Sequence, residues 1–245
     1  MKRFALVLLV IFPALAYADE IRVLSGGAAK SFVDPLAASF TQHSVKIEYQ
    51  PMGKLTQSLA GGAAVDMVIV TPEVFERLQK EKVLAPGSGR PLARVGVGVA
   101  VNESAPPPDI STPEALKRTL LAAKSVVYID PKIGTSGKHV AEVFQKLNIS
   151  EEMRAKSTLG TGGYVVAPVG RGEIELGIHQ ISEILPVKGI RFVGPLPPEL
   201  QKYTVYVGAP VPGSTRSAAV AEFIQHLTAP EARARLSAAG YTAPE

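Results

Sequence analysis

Apolar and polar residues follow one another in this chain in the order strand, helix, strand. Residues 21–24 form a β-rich apolar run, and small residues and then a helical pattern follow it to about Phe40. Residues 45–49 alternate like a half-buried strand, while residues 66–70 form an apolar run typical of a strand covered on both faces. Helical stretches follow these two strands at 55–59 and 72–82. This alternation predicts a mostly parallel sheet with helices on its faces.

The second half of the chain has the same kind of pattern. Residues 94–101 predict a strand of small residues, and the Pro-rich segment at 105–109 predicts an extended crossing between lobes. Ser111 and Glu114 fit a capping box at the start of the next helix. Further strands are predicted at 125–129, 176–179 and 189–193, with a helix at 138–147.

The last part of the chain is predicted to return to the first lobe. The strand at 202–207 would carry it back, and the Ala-rich helical tail at 214–236 would pack there. We therefore predict an α/β protein with two lobes, each of them a mostly parallel sheet with helices on both faces. The predicted division is 1–18 as a signal peptide, 19–101 with 206–245 as lobe 1, and 102–205 as lobe 2.

The first eighteen residues have the pattern of a secretory signal peptide. Lys2 and Arg3 precede an apolar run that only Pro13 interrupts, and Ala16-Tyr17-Ala18 fits a cleavage site. The apolar run is shorter than the ~18 residues that a membrane span needs. We expect cleavage, export to the periplasm and no membrane insertion of the mature chain.

The amino-acid composition and the missing motifs exclude several classes of site and partner. The absence of Cys among the 245 residues excludes disulfides, cysteine nucleophiles, thiolate-bound zinc, iron–sulfur clusters and a lipoprotein anchor. The net charge of +4 is too small to suggest nucleic acid as a partner. Phosphate-binding-loop, dinucleotide, serine-elbow and zinc-protease motifs are incomplete or absent, so we expect neither a metal nor a cofactor.

Several turns that follow predicted strands are rich in small or polar residues. In α/β sheets, ligands bind beyond the carboxyl ends of strands, where exposed amides at helix N-termini attract anions. The sequence therefore predicts a small anionic ligand. The candidate ligand-binding residues are Ser25, Gly26, Gly27, Met52, Gly53, Lys54, Thr71, Ser136, Gly137, Gly162, Gly163, Tyr164, His179 and Gln180.

His179 has two interpretations. It ends the apolar strand Leu176-Gly177-Ile178, so it is either a structural histidine or one of the side chains that an α/β cleft collects. If the protein is an enzyme, His179 is the candidate base, because the unperturbed pKa of about 6.5 suits proton transfer.

The sequence resembles the bacterial periplasmic solute-binding proteins of the molybdate-binding family. The resemblance rests on the secretory start, the first strand with its small-residue turn, residues 59–69, and Ile129-Asp130-Pro131. Residues 179–186 and 200–206 resemble the corresponding segments of a divergent subgroup of this family. The bacterial aconitate isomerase also looks like a member of that subgroup. The resemblance implies the two-lobed periplasmic-binding-protein fold, in which the α/β lobes close over a ligand in the cleft between them.

The family's molybdate-binding residues match poorly. By this resemblance, Ala28 stands where the first ligand serine belongs, Met52 or Gly53 takes the second position, and Gln180 replaces a tyrosine. Lys54, His179, Gln180 and Lys138 would suit carboxylates better, because cations form charge-assisted bonds with them.

Three functions remain open at this point. The first is a receptor, expected to be a monomer, that captures a di- or tricarboxylate and delivers it to a membrane permease. The second is an isomerase that interconverts cis- and trans-aconitate by proton abstraction and return in the same cleft. The third is a molybdate- or tungstate-binding component of an ABC transporter.

Overall fold

The computed structural model describes residues 19–244, so the signal peptide predicted at 1–18 lies outside the described part of the chain. The strands are β1 (Glu20–Gly26), β2 (Ser44–Gln50), β3 (Met67–Val70), β4 (Arg90–Val95), β5 (Val97–Asn102), β6 (Val126–Ile129), β7 (Ser157–Gly160), β8 (Leu176–Gln180), β9 (Ile190–Pro195), β10 (Thr204–Pro210) and β11 (Tyr241–Thr242). The α-helices are α1 (Lys30–Ser39), α2 (Met52–Ala60), α3 (Pro72–Lys80), α4 (Pro113–Ala122), α5 (Thr135–Lys146), α6 (Ser150–Lys156), α7 (Ala167–Gly170), α8 (Ile181–Ile184), α9 (Ser217–Thr228) and α10 (Pro230–Ala234).

The strands form two sheets, one in each lobe of an α/β fold. The sheet of lobe 1 has the order β11-β4-β10-β3-β1-β2, and the sheet of lobe 2 has the order β7-β6-β8-β5-β9. Strands β1, β2 and β3 are parallel in the first sheet, as are β6, β7 and β8 in the second. Antiparallel strands extend each sheet where the chain crosses between lobes. The turns that connect the carboxyl ends of the parallel strands to the following helices therefore face the other lobe.

The chain passes between lobes at Gly96, which corrects two expectations. The single strand predicted at 94–101 is in fact β4 and β5, which lie in different sheets. Residues 97–101 consequently belong with lobe 2, and the Pro-rich segment at 105–109 lies inside that lobe instead of crossing between lobes. Gln201, in the returning segment, fixes the crossing because its side chain bonds both the N–H and the carbonyl of Val97, at 2.9 and 2.8 Å.

The C-terminal helices pack on lobe 1, as the sequence predicted. Phe223 of α9 is fully buried in the lobe 1 core and lies 5.2 Å from Phe40, measured between ring centroids. Complete burial of such a side chain stabilises the fold by about 1.5–3 kcal/mol. Tyr241 of β11 is also buried in this core. The C-terminal segment therefore completes lobe 1.

The capping box predicted at Ser111 and Glu114 is wrong. Thr112 is the N-cap of α4, and its hydroxyl accepts a hydrogen bond from the N–H of Ala115 at 3.1 Å. Ser111 instead bonds the carboxylate of Asp109. In the part of the chain that the structure describes, every helix is too short or too polar to cross a bilayer.

Candidate functional site

A cleft between the lobes collects the turns that follow the parallel strands. It contains about 430 Å³ of unoccupied space, including the part that is open to solvent. Lobe 1 lines it with Gly27, Ala28, Tyr49, Gln50, Pro51, Met52 and Tyr206. Lobe 2 lines it with Ile129, Gly134, Thr135, Ser136, Gly162, Gly163, His179, Gln180 and Glu183.

The lobes touch each other beside this cleft. The N–H of Gly53, in the first turn of α2, donates to the carbonyl of Ile133 at 3.2 Å. Gly162 faces Pro51 so closely that an added Cβ would lie 3.0 Å from the proline ring. Gly162 also has a φ of 141°, which side-chain-bearing residues rarely adopt. The two lobes therefore contact each other at the rim of the cleft.

His179 is buried at the centre of a chain of polar contacts. It ends β8, and only 1% of its surface is exposed. Its Nδ1 lies 3.1 Å from Oγ of Ser136, and its Nε2 lies 3.0 Å from Oε2 of Glu183. The same Nε2 lies 3.1 Å from the carbonyl oxygen of Gly163. Because all four residues line the cleft, the contacts bring titratable groups to the ligand space.

The Gly163 carbonyl decides which nitrogen of His179 carries the hydrogen. A carbonyl oxygen only accepts hydrogen bonds, so Nε2 is the donor. Nδ1 is then unprotonated and accepts the hydroxyl hydrogen of Ser136. The polar chain thus runs from Ser136 through His179 to Glu183, and both its ends lie at the cleft.

Burial shifts the pKa values of both titratable members. Removal of water lowers the pKa of His179 to about 4, although its bond to the Gly163 carbonyl acts in the opposite direction. The same loss of water raises the pKa of Glu183 to about 8. At neutral pH His179 is therefore uncharged and Glu183 is protonated. Shifted titratable groups in a cleft are typical of functional sites.

Gln180 is held by two hydrogen bonds beside this pair. Its Nε2 donates to Oγ1 of Thr204 at 2.9 Å, and the hydroxyl of Tyr206 donates to its Oε1 at 3.0 Å. Burial raises the pKa of Tyr206 well above its usual value, so its hydroxyl stays protonated. The amide orientation of Gln180 is therefore fixed before a ligand binds.

Tyr49 lines the opposite wall of the cleft. Its hydroxyl donates to Oδ1 of Asp34 at 2.6 Å, and Nζ of Lys30 lies 5.0 Å from the centre of its ring. Lys30 also pairs with Asp34 at 3.5 Å. Burial and the bond to Asp34 raise the pKa of Tyr49. Lys30 is therefore paired with Asp34 and is not part of the cleft lining.

Helix α8 connects Glu183 to lobe 1. The neighbouring Ser182 donates its hydroxyl hydrogen to the carbonyl of Ala28 at 2.9 Å, and Tyr241 donates to the same carbonyl. The backbone of Gly27 faces Glu183, because an added Cβ would lie 3.4 Å from Oε1 of the carboxyl group. The catalytic candidates of lobe 2 therefore lie against the first turn of lobe 1.

Half of the candidate ligand residues from the sequence lie at the cleft. The cleft-lining members are Gly27, Met52, Ser136, Gly162, Gly163, His179 and Gln180. The members outside its lining are Ser25, Gly26, Gly53, Lys54, Thr71, Gly137 and Tyr164. Gly137 instead lets α5 approach β6, because an added Cβ would lie 2.0 Å from the carbonyl oxygen of Ile129.

The expected cationic residues are absent from the cleft wall. Lys54 and Lys138 are both exposed and do not line it, and no Lys or Arg is among the described lining residues. Lys138 and Thr71 line a second groove that adjoins the cleft. A carboxylate in the cleft would therefore be held by uncharged donors.

Sequence reasoning missed Glu183, Tyr49 and Tyr206 as site residues. Glu183 follows His179 by four positions, which is a usable signal only once the strand is known to end at Gln180 and a helix to begin at Ile181. Tyr206 comes from the returning strand β10, so its approach depends on the crossing between lobes. Among residues 19–244, no cluster of three or more His, Asp or Glu residues could hold a metal ion.

Comparisons with known proteins agree with the resemblance found in the sequence. The sequence profile of the family described as bacterial extracellular solute-binding protein matches residues 21–242. An aconitate isomerase from a Pseudomonas species is 31% identical over 229 residues, which cover 90% of this chain and 86% of that protein.

Solved structures share the fold at much lower identity. The periplasmic molybdate-binding protein of Azotobacter vinelandii matches with a TM-score of 0.78 and 18% identity, covering 92% of this chain and all of that one. The sulfate-binding protein of Mycobacterium tuberculosis matches with a TM-score of 0.73 and 16% identity, covering 93% of this chain and 88% of that one. These likenesses establish the fold alone.

Proposed function

Because this chain belongs to the bacterial extracellular solute-binding protein family, we propose that it holds a small polycarboxylate in its cleft and isomerises it there. The proposed substrates are cis- and trans-aconitate, and the 31% identical relative, an aconitate isomerase, supports this choice. The proposed location is the periplasm, with residues 1–18 as the signal that directs export.

The observation that carries the proposal is the buried contact between His179 and Glu183 at the cleft. Their 3.0 Å separation joins a neutral base to a protonated acid in one enclosed space. A protein that only binds an anion gains little from a buried carboxyl group facing its ligand. An isomerase that moves a proton needs both a base and an acid.

Backbone amides would hold the substrate carboxylates. The first turn of lobe 1, at Gly27 and Ala28, begins a 3-10 helix that leads into α1, and Ser136 lies in the first turn of α5. Amides at such positions carry partial positive charge and bind anions without a cationic side chain. They would also stabilise negative charge that spreads onto a carboxylate as the proton leaves.

The polar chain from Ser136 to Glu183 can move one proton without solvent. Nδ1 of His179 takes the proton from the methylene carbon, directly or through the Ser136 hydroxyl, while Nε2 passes its hydrogen to Oε2 of Glu183. Oε1 of Glu183 gives its proton to the former vinylic carbon, and the double bond moves by one position. One C–H bond breaks and another forms, so neither a net charge nor a cofactor is required.

The hydroxyl groups at the cleft do not favour a molybdate cage. Three of the four hydroxyl groups in the cleft lining, those of Tyr49, Ser136 and Tyr206, already donate to Asp34, His179 and Gln180, respectively, and the fourth belongs to Thr135. A tetrahedral oxyanion would need several of these donors to be free. We therefore expect molybdate to stabilise the protein far less than a tricarboxylate does, as measured by thermal unfolding.

A receptor that binds a polycarboxylate without turnover is the second candidate. Its support is the family fold, in which two lobes contact each other across a cleft at Gly53 and Ile133. In this case the protein would deliver its ligand to a membrane permease. The two candidates make the same prediction for binding and opposite predictions for turnover.

Proton NMR of the purified protein with trans-aconitate in deuterated buffer separates them. We expect cis-aconitate to accumulate until equilibrium, at a rate proportional to protein concentration. Thermal stabilisation by trans-aconitate with no new isomer would leave the receptor function and reject the isomerase. Neither stabilisation nor conversion would reject both functions for this substrate.

A further inference from the structure

A second groove opens beside the cleft and is lined by lysines. It contains about 1040 Å³ of unoccupied space, including the part that is open to solvent. It shares three lining residues with the cleft, namely Met52, Gly134 and Thr135. The two spaces therefore meet at the boundary between α2 and the start of α5.

Three lysines from two segments of the chain line this groove. Lys132 precedes α5, Lys138 lies in its first turns, and Lys202 lies in the segment that returns to lobe 1. All three side chains are exposed, and within residues 19–244 no ion pair involves any of them. Glu73 of α3 is the acidic residue of the lining. The groove consequently has an excess of positive charge.

The charge of the groove contrasts with that of the cleft. The cleft wall contains the uncharged amides and hydroxyls described above and a protonated Glu183, but no lysine or arginine among the described lining residues. A polycarboxylate carries two or three negative charges at neutral pH, because ordinary carboxyl pKa values are near 4. The polycarboxylate would therefore be attracted most strongly to the groove, which adjoins the cleft that contains His179 and Glu183.

We propose that the groove lined by Lys132, Lys138 and Lys202 is an access site that attracts and holds polycarboxylates beside the cleft. This inference rests on the proposed function, since it takes the substrate to be a polyanion. Clefts and grooves with one sign of charge focus the field and raise the local concentration of ligands of the opposite sign. Separating these cations from the reacting groups keeps Glu183 protonated, because a nearby ammonium group would favour its charged form.

The test measures binding of propane-1,2,3-tricarboxylate, which has no double bond to isomerise. Isothermal titration would compare the triple variant Lys132→Gln, Lys138→Gln and Lys202→Gln with wild type. The matched control is Lys80→Gln, Lys146→Gln and Lys188→Gln, whose exposed lysines do not line the groove and whose total charge is the same. Circular dichroism melting of all three proteins establishes that they fold.

We expect the groove variant to bind about tenfold more weakly than the control at an ionic strength of about 0.01 M. The difference should shrink at about 0.15 M, where the Debye length falls from ~30 to ~8 Å. It should also be smaller for succinate, which has one charge fewer. Equal affinities of the two triple variants would overturn the proposal, as would a wild-type affinity that does not change with salt.

The outcomes separate this site from the proposed isomerase. A wild-type protein that binds the tricarboxylate through the groove but leaves trans-aconitate unchanged rejects the isomerase and keeps the access site. Turnover of aconitate with equal affinities in both triple variants rejects the access site alone. A groove that serves an acidic protein partner instead would give that second result.

Discussion

Nε2 of His179 lies 3.0 Å from Oε2 of Glu183, and both side chains are buried at the cleft between the lobes. Each residue is uncharged at neutral pH because burial disfavours its charged form. One member is thus ready to accept a proton and the other to donate one.

His179→Gln should abolish isomerisation while leaving polycarboxylate binding nearly intact. The glutamine keeps a polar group at the end of β8 but cannot act as a base, so kcat should fall by at least about 100-fold. The matched control is His43→Gln, because His43 also contacts a glutamate, Glu222 at 3.4 Å, but lies outside the cleft. NMR turnover and calorimetric binding measure the two quantities. An active His179→Gln variant would contradict the proposed base.

Ser136→Ala should reduce kcat more than it changes KM. The hydroxyl group bonds Nδ1 of His179 at 3.1 Å, so its loss leaves the ring held at Nε2 alone and removes the proton path through Ser136. We expect kcat to fall by about 10- to 100-fold. Thr135→Ala is the comparison, because Thr135 lines the same wall but is not hydrogen-bonded to His179. A change confined to KM in both variants would assign Ser136 to binding alone.

The rate of isomerisation should have a bell-shaped pH dependence. The donor function of Glu183 is lost as pH rises through about 8, and the base function of His179 is lost as pH falls through about 4. Initial rates measured under saturating substrate across this range check the profile. A rate that keeps rising above pH 9 would contradict a protonated Glu183 in the mechanism.

Stability should fall between about pH 6.5 and 8 because of Glu183. Its carboxyl group stays protonated in the folded protein up to about pH 8, whereas the unfolded chain releases this proton near pH 4.5. The folded state therefore binds more protons over this interval, and raising the pH favours unfolding. The linkage amounts to about 1.4 kcal/mol per pH unit.

The two buried groups oppose each other at lower pH. His179 stays neutral in the folded protein down to about pH 4, whereas in the unfolded chain it takes up a proton near pH 6.5. Its effect is therefore to lower the stability of the folded protein as the pH falls from about 6.5 to 4. Between about pH 4.5 and 6.5 the contributions of His179 and Glu183 nearly cancel. In urea titrations, Glu183→Gln should remove the decline above pH 6.5. An unchanged decline in this variant would assign it to other groups.

Gly162→Ala should weaken ligand binding by separating the lobes. The new Cβ would lie 3.0 Å from the ring of Pro51, so one wall of the cleft must move. Gly87→Ala is the matched control, because Gly87 has a φ of 71° but an added Cβ there would touch nothing within 4 Å. Both variants should lose roughly 1–3 kcal/mol of stability through backbone strain. Only Gly162→Ala should lower tricarboxylate affinity in calorimetry. Equal affinities of the two variants would show that the contact between Gly162 and Pro51 does not shape the ligand site.

Local sequence patterns determined the α/β class, the return of the C-terminal helices to lobe 1, and the placement of glycine-rich turns after strands. Strand and helix periodicities depend on neighbouring residues, so they can be read without the fold. The boundary at Gly96 was not visible in this way, because residues 95–101 are one run of small apolar residues. Only pairing with different partners divides that run into β4 and β5.

The tertiary structure alone decided which side chains share the cleft. Sequence chemistry favoured Lys54 and Lys138 for an anion, but both lie outside the cleft wall, whereas Glu183 and Tyr206 line it. Their meeting with His179 depends on packing between lobes and on a strand that returns from the distant end of lobe 2. The pKa shifts follow from the same packing, because the exclusion of water depends on every element around a group, and local sequence does not specify those elements.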